Sequence, residues 1–166
     1  MKSRSESRKL DVYKIVLVGS SNAGKSNLLA ILMGNAFGGA VASTIGVEFA
    51  TKTLKLDGGK KVKAQVWDTA GQERYSKMMG GYYRNANGFV LCYDATSSES
   101  FDAVERWRTN VVENLGEEKY AKAKVILVGC KLDMVKDGDA VSKCFLVCIG
   151  VTSLGDLPMS CVSLFL

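Results

Sequence analysis

An eight-residue loop from Gly19 to Ser26 constrains the fold more than any other stretch of the chain, and it reads G-S-S-N-A-G-K-S. Two glycines separated by four residues and followed by Lys and Ser match the phosphate-loop pattern. The apolar run 13–18 before the loop predicts a buried strand, and the run 27–33 after it predicts a helix. The alternative is a glycine- and serine-rich connection that binds nothing, which the two flanks disfavour.

The residue types of the loop indicate how it would hold a phosphate. Gly19 and Gly24 let the backbone turn without a Cβ clash, so that loop amides and the positive end of the helix meet an anion. Lys25 is expected to reach the terminal phosphates as a point charge, and Ser26 to offer its hydroxyl to Mg²⁺.

The composition is that of a single globular domain. The chain has 166 residues, of which 47% are hydrophobic and 23% charged. It contains no His, which removes the commonest general base and disfavours a triad-type hydrolase. Its five cysteines show no metal-ligand spacing, and no secretory signal precedes them, so we expect reduced thiols in the cytosol.

The first ten residues form a separate basic segment, M-K-S-R-S-E-S-R-K-L. This segment lacks an apolar core, so residues 1–10 are expected to be a disordered basic leader. A weak attraction to anionic membranes is one interpretation of its charge, and a solvated tail without a role is the other.

Apolar runs and turn residues predict the remaining elements. We expect a hairpin from strands 47–56 and 62–67 around the turn Asp57–Lys60, and a long helix capped by Ser98 or Ser100. The other predicted elements are a short helix over 74–83 and buried strands over 88–93 and 124–129. Strands of this kind alternating with helices predict an α/β fold, a mostly parallel twisted sheet with helices on both faces.

Ligands in such sheets bind at the carboxyl ends of the strands. The loop 19–26, Asp68 and the segment Lys131–Asp133 all follow predicted strands. Asp68 can support Mg²⁺ through water, and Gly71 leaves a backbone amide free for a terminal phosphate. The carboxylate of Asp133 can accept two N–H bonds from a guanine edge, which adenine does not present. The three segments together predict one nucleotide site.

The character of the sequence changes after Asp133. From Cys144 to Leu166 the only charged residue is Asp156, and no amphipathic helix is evident. Residues 144–149 predict a strand, and the apolar runs are shorter than the ~20 residues of a membrane helix. We therefore divide the chain into a domain over 11–133 and a divergent apolar tail over 134–166.

Seven sequence blocks resemble the Ras-superfamily small GTPases, and within them the Rab branch. They are G-S-S-N-A-G-K-S, S-T-I-G-V-E-F (43–49), W-D-T-A-G-Q-E-R-Y (67–75), G-Y-Y-R (81–84), Y-D-A-T (93–96), S-F-D-A-V-E-R-W (100–107) and V-G-C-K-L-D (128–133). The similarity covers 13–133, and it implies a P-loop NTPase small G domain whose C-terminal strand and helix are incomplete here.

The resemblance also implies residue roles. Ser26 and Thr44 would ligate Mg²⁺ with support from Asp68, Phe37 would stack on the base, and Gln72 would orient the attacking water as the catalytic residue. Gly71 would sense the γ-phosphate. The implied nucleotide-binding set is Gly19, Ser21, Asn22, Ala23, Gly24, Lys25, Ser26, Asn27, Phe37, Thr44, Asp68, Gly71, Cys130, Lys131 and Asp133.

The function that the resemblance implies is a GTP/GDP switch that hydrolyses GTP slowly and acts in vesicular membrane traffic. Exchange factors, GTPase-activating proteins and effectors would bind through 44–49, Trp67 and 71–83, with Phe49, Trp67 and Tyr82 as an aromatic effector surface. Core packing is the alternative for Phe49 and Trp67. We expect a monomer without nucleic-acid partners, in the cytoplasm or on the cytosolic face of endomembranes.

Two departures from the family pattern favour a second hypothesis. Cys130 stands where the family has the Asn of its Asn-Lys-x-Asp motif, and the usual last strand and helix are not evident after Ser142. A third departure, the two residues that follow Cys161-Val-Ser-Leu, misplaces the prenylation pattern and disfavours membrane association. The alternative is therefore a truncated relative with weakened or lost nucleotide binding, acting as a partner-binding module or as a non-functional product. Another class of P-loop NTPase is the third hypothesis.

Overall fold

A computed structural model describes residues 10–35, 47–69, 80–135 and the backbone of 148–149. The strands are β1 Asp11–Val18, β2 Val47–Lys55, β3 Lys61–Thr69, β4 Gly88–Asp94, β5 Lys124–Cys130 and β6 Cys148–Ile149. The helices are α1 Lys25–Leu32, α2 Gly80–Tyr83, α3 Ser98–Leu115 and α4 Glu117–Lys122, with single 3₁₀ turns at Asp57–Gly59 and Leu132–Met134.

The six strands form one sheet in the order β2-β3-β1-β4-β5-β6. β1 pairs in parallel with both β3 and β4, and β4 pairs in parallel with β5. β2 and β3 form the predicted antiparallel hairpin, and β6 runs antiparallel to β5. The mostly parallel α/β sheet is therefore confirmed. Of the C-terminal region expected to be incomplete, only 148–149 lie among the described residues.

The helices pack on both faces of the sheet because successive residues of a buried strand point to opposite sides. On β1, Val16 and Val18 belong to the core beneath α3, together with Val104, Trp107 and Val111. The intervening Leu17 belongs to the opposite core, beneath α1, with Leu29. This explains why the run Ile15–Val18 of β1 is continuously apolar.

The N-terminus of α3 differs from the prediction. Ser97 is the cap: its Oγ accepts the backbone N–H of Ser100 at 3.1 Å. Ser98 is already helical, and the Ser100 hydroxyl accepts the N–H of Asp94 at 2.9 Å. The prediction of Ser98 or Ser100 was wrong because three nearby serines are equally suited by type, and only the backbone geometry selects one.

Two helices differ from what the sequence predicts. α4 was not predicted, because its sequence E-E-K-Y-A-K is mostly charged; Tyr120 packs it against the core. Of the short helix expected over 74–83, Gly80–Tyr83 is helical and the rest lies outside the described residues. Within the described ranges, no helix is both long enough and apolar enough to cross a membrane.

Candidate functional site

The loop between β1 and α1 lies directly against the neighbouring strand β4. A Cβ added to Gly19 would lie 2.1 Å from the carbonyl oxygen of Cys92, a separation that real side chains do not adopt. Only glycine fits at this position, because the obstructing atom belongs to the backbone of a central strand. The first glycine of the motif is thus required by how closely the loop crosses the sheet.

The second glycine forms the N-terminus of α1. Gly24 has φ 97° and ψ 9°, a left-handed conformation that favours glycine, and a Cβ there would lie 2.8 Å from the Cβ of Cys130. No described side chain caps α1. The first turn of a helix has N–H groups without helical partners, so this end of α1 carries positive potential suited to an anion.

Lys25 lies folded over the loop. Its side chain is almost fully buried, and Nζ donates to the carbonyl oxygens of Gly19 at 2.9 Å and Ser20 at 2.8 Å. Burial lowers the pKa of Lys25, while the nearby Cys92, Asp68 and Cys130 oppose that shift. Burial therefore removes water from the ammonium while the loop holds it in place. A buried charge of this kind is expected to pair with a group of opposite charge, such as an anion.

Ser26 and Asp68 supply adjacent oxygen atoms. The Ser26 hydroxyl donates to Oδ2 of Asp68, which is fully buried at the end of β3. A hydroxyl and a carboxylate are hard oxygen ligands of the type that Mg²⁺ prefers. Two of the three side chains that the sequence assigned to magnesium are thus brought together, and they fit that ion. Thr44, the third predicted ligand, lies outside the described residues.

Helix α3 is connected to the loop by a bond that the sequence did not indicate. The indole Nε1 of Trp107 donates to Oγ of Ser20 at 3.1 Å. The apolar spacing of α3 predicts a core position for Trp107, and the structure confirms that its ring is buried. Its polar edge fixes the loop as well, and no local sequence pattern indicates that second role.

The segment after β5 is held against β4. Lys131 has φ 61°, and its Nζ forms an ion pair with Oδ2 of Asp94 at 2.6 Å. Burial raises the pKa of Asp94, but hydrogen bonds from Lys131 and Thr96 outweigh it and hold the pKa below its usual value. Asp133 is exposed beyond this pair. The predicted base-binding segment is therefore anchored by its lysine, with its carboxylate open to solvent.

Cys130 lies between the loop and the base-binding segment. It is half-buried, its backbone carbonyl accepts the N–H of Ala95 at 2.9 Å, and its side chain lies against Gly24. Cys92 lies on the adjacent strand β4, and its thiol donates to the carbonyl oxygen of Val90 at 3.8 Å. The sequence indicated Cys130 as an altered motif residue, but it gave no sign that Cys92 lies on the strand beside it.

The structure gathers the described part of the predicted set at the carboxyl ends of the parallel strands. The loop 19–27 follows β1, Asp68 lies near the end of β3, and Cys130–Asp133 follows β5. Ser21 and Asn22 are exposed, whereas Ala23 is buried. The remaining predicted site residues lie outside the described ranges: Phe37, Thr44, Gly71 and Gln72.

Three aromatic side chains form a second feature, on the hairpin side of the sheet. Phe49 stacks on Trp67 with ring centroids 4.9 Å apart, and Tyr82 lies 6.4 Å from Trp67. The Nζ of Lys14 lies 4.3 Å from the centre of the Trp67 ring. Phe49 is 57% exposed, so core packing does not account for it, whereas Trp67 packs partly against the core.

Comparison with known proteins agrees with this geometry. The model of the Ras family matches residues 14–145. Ras-related protein RABA1b of Arabidopsis thaliana is 50% identical over 123 residues, which are 74% of this chain and 55% of that protein. Ras-related protein Rab-11A of Dictyostelium discoideum is 46% identical over 135 residues, 81% of this chain and 61% of that protein.

A fungal relative gives the same result. GTP-binding protein ypt3 of Schizosaccharomyces pombe is 48% identical over 124 residues, 75% of this chain and 56% of that protein. The chain thus spans little more than half the length of these curated relatives. The family match covers most of the chain and confirms the resemblance inferred from the motifs. The chain belongs to the Ras family, within its Rab branch.

Proposed function

We propose that the chain is a Rab-type molecular switch, which binds GTP with Mg²⁺, hydrolyses it slowly to GDP and phosphate, and acts in vesicular membrane traffic. The observation that carries this proposal is the buried Lys25 folded over a glycine-bounded loop at the N-terminus of α1. The Schizosaccharomyces pombe relative is named a GTP-binding protein, which supports guanine as the base.

The phosphates are proposed to bind where main-chain N–H groups, a helix terminus and one ammonium converge. Nζ of Lys25 now donates to two loop carbonyls, and phosphate oxygens are stronger acceptors for a cation than neutral carbonyls. If Nζ of Lys25 turned from these carbonyls to the β- and γ-phosphates, it would exchange two neutral acceptors for charged ones. The loop thereby gains affinity from a lysine that it already holds in place.

Ser26 and Thr44 are the proposed ligands of Mg²⁺, with Asp68 supporting the site. The bound ion would neutralise charge on the phosphate oxygens during transfer. Asp68 accepts a hydrogen bond from the Ser26 hydroxyl and so orients the serine oxygen lone pairs away from the carboxylate. The buried position of Asp68 fixes that orientation.

Base recognition is assigned to Lys131, Asp133 and the stacking residue Phe37. Lys131 has a left-handed backbone and its ammonium is paired with Asp94, and Asp133, two residues on, is exposed. A carboxylate there can accept two donors from guanine and reject adenine, which would leave it unsatisfied. Cys130 supplies a thiol, a weaker hydrogen-bonding group than the amide of the family motif.

Hydrolysis is assigned to water oriented by Gln72. Phosphoryl transfer needs no covalent intermediate, since it depends on positioning and on stabilisation of charge. A partner that supplies an arginine would accelerate hydrolysis by a factor of ~10³ to 10⁵, the range found for related GTPases. Such partners, exchange factors and effectors are proposed to bind through 44–49, Trp67 and 71–83, on the cytosolic face of endomembranes.

Single-turnover phosphate release tests the enzymatic part of the proposal. The chain loaded with GTP and Mg²⁺ is expected to release phosphate slowly, and with ATP to release none. Gln72→Leu should keep nucleotide binding and slow release by about tenfold or more, because the water loses its orienting group. Gln65→Leu, in β3, is the matched control and should match the wild type. Equal release from wild type and Gln72→Leu would contradict the role of Gln72.

The Cys130→Asn variant tests the base site. Restoring an amide beside Gly24 is expected to raise GTP affinity by about 1–3 kcal/mol, the value of hydrogen bonds regained in a partly buried site. Competition with a fluorescent GDP analogue measures the change. Cys130→Ala removes the thiol without adding an amide and should gain nothing. An Asn variant no tighter than the Ala variant would show that position 130 does not contact the base.

A further inference from the structure

The hairpin strands β2 and β3, with the first half of β1, present one accessible face of the sheet. Ala64 and Val66 of β3 pack in the core beneath α1, so the residues that alternate with them point to the opposite side. The core beneath α3 occupies that side over β1 and β4. Over the hairpin, most side chains on the same side are exposed. We call this part the hairpin face; it runs from Phe49 and Trp67 to Lys55 and Lys61 and includes Lys14 of β1.

The hairpin face carries charge of one sign. Four lysines of β1, β2 and β3 point to it: Lys14, Lys55, Lys61 and Lys63. The carboxylates of the same three strands are Asp11, Glu48 and Asp68, and the strand register places all three on the opposite side. A surface that only keeps a protein soluble usually mixes both signs. Within these three described strands, the face is basic and has no acidic side chain.

The positions of these lysines are unfavourable for the isolated chain. Lys55 and Lys61 lie directly opposite each other in the β2–β3 register, and like charges at opposite positions repel. Lys63 lies two positions along on the same side, and all three are exposed. Lysines on an edge strand can prevent aggregation, but β3 is an interior strand. An anionic partner would relieve the repulsion between these ammonium groups.

The basic part of the hairpin face is continuous with the three aromatic side chains. The Nζ of Lys14 lies 4.3 Å from the centre of the Trp67 ring, which stacks on Phe49. From Trp67 to Lys61 the strand β3 extends about 20 Å, and three strands are about 10 Å wide. An α-helix is about 10–12 Å in diameter, and a helix 20 Å long has about 13 residues. The face therefore has the size of one short helix.

We propose that the hairpin face binds an acidic amphipathic helix of a partner protein. Apolar side chains at one end of that helix cover Phe49, Trp67 and Tyr82, and carboxylates along the same side of its other end pair with the lysines. Four helical residues rise about 6 Å, close to the spacing of alternate residues in a strand, so carboxylates four apart match Lys61 and Lys63. The aromatic contacts supply affinity, and the charges supply specificity and a fast association rate. The inference rests on the proposed function in one respect, since it names the class of partner for the aromatic surface.

Synthetic helices test this proposal by fluorescence anisotropy on the full chain. The probe is a fluorescein-labelled, lactam-stapled peptide of about 14 residues, with Leu and Phe in its first two turns and Glu in its last two turns on one side. A second peptide has the reverse order, because the face fixes no helix direction, and both are also made with Lys in place of Glu. At least one Glu peptide should bind the wild type, and neither Lys peptide should. Raising NaCl from ~0.1 M to ~1 M shortens the Debye length from about 10 Å to about 3 Å and should weaken the binding.

Charge reversal locates the binding. The double variant Lys61→Glu/Lys63→Glu should bind the Glu peptide at least about tenfold more weakly and should prefer the Lys peptide. It should remain folded, as circular dichroism can show, because a carboxylate opposite Lys55 replaces repulsion by attraction. The matched control is Lys119→Glu/Lys124→Glu. It changes the net charge equally at exposed positions of α4 and β5, and its affinity for the Glu peptide should equal that of the wild type.

Each remaining outcome has one meaning. Glu peptides that bind the wild type no better than Lys peptides, or that bind both double variants equally, would overturn the proposal. Vesicles of phosphatidylcholine with about 30% phosphatidylserine test a membrane as the alternative. If they sediment the wild type but not Lys61→Glu/Lys63→Glu, while the peptides show no preference, the face binds lipid and the partner helix is ruled out. If the chain binds no guanine nucleotide, the proposed function fails, while the exchange of peptide preference still decides this inference.

Discussion

Lys25→Met is expected to weaken binding of GTP·Mg²⁺ by about a hundredfold or more, because it removes two charge-assisted hydrogen bonds to phosphate worth about 1.5–3 kcal/mol each. Met matches the length of the lysine stem. The variant should remain folded, since Lys25 is nearly buried and removing its charge also removes a desolvation cost. A titration with a fluorescent GTP analogue measures the affinity, and circular dichroism confirms the fold.

Lys122→Met is the matched control for that experiment. Lys122 lies at the end of α4, 73% exposed and paired with Glu118, away from the phosphate loop. Its loss should leave nucleotide affinity unchanged. If Lys25→Met binds GTP as tightly as Lys122→Met, the ammonium does not contact the phosphates, and the assignment of the loop is wrong.

Gly19→Ala is expected to lower the free energy of unfolding by about 3 kcal/mol or more, because its methyl group would overlap a backbone oxygen. The obstructing atom is the Cys92 carbonyl, 2.1 Å from the added Cβ, in the central strand β4. Relief requires the loop to move away from the sheet, so nucleotide binding should be lost as well. Urea unfolding monitored by circular dichroism measures the stability.

Gly34→Ala is the control that separates the effect of this steric contact on stability from the effect of a left-handed backbone. Gly34 has φ 89°, a left-handed value, but nothing lies within 4 Å of an added Cβ. Its substitution should cost only the conformational strain, about 1–2 kcal/mol. The difference between the two variants isolates the overlap with β4. Equal losses of stability would mean that the loop does not cross the strand as closely as described.

The central elements of the fold were predictable because their physical cause is local. The runs 15–18 of β1, 88–93 of β4 and 125–128 of β5 are continuously apolar, as strands covered on both faces must be, and the turn at Asp57–Gly59 indicates the hairpin. Two details were not predictable. Three serines at the start of α3 suit a cap equally by residue type, and α4 has too few apolar residues to show an amphipathic pattern.

The candidate site was likewise only partly predictable from the sequence. The glycine-bounded loop, Asp68 and Lys131–Asp133 are sequence motifs, so their residue types and spacing were enough to identify them. The partners that hold these motifs in place are distant along the chain. Trp107 is 87 residues from Ser20, and Lys131 is 37 residues from Asp94, so only the folded topology makes these contacts. The same holds for Cys92 and Cys130, which the pairing of β4 with β5 places on adjacent strands.

Calorimetric titration of the chain with GTP and ATP, in Mg²⁺ and in EDTA, tests the central claim most directly. The loop, Lys25 and the Ser26–Asp68 pair predict saturable GTP binding in Mg²⁺ that weakens in EDTA. A base site built around Asp133 predicts ATP binding weaker by about a hundredfold or more. GTP and ATP binding with equal affinity, or GTP binding no tighter in Mg²⁺ than in EDTA, would contradict a guanine-nucleotide switch at this site.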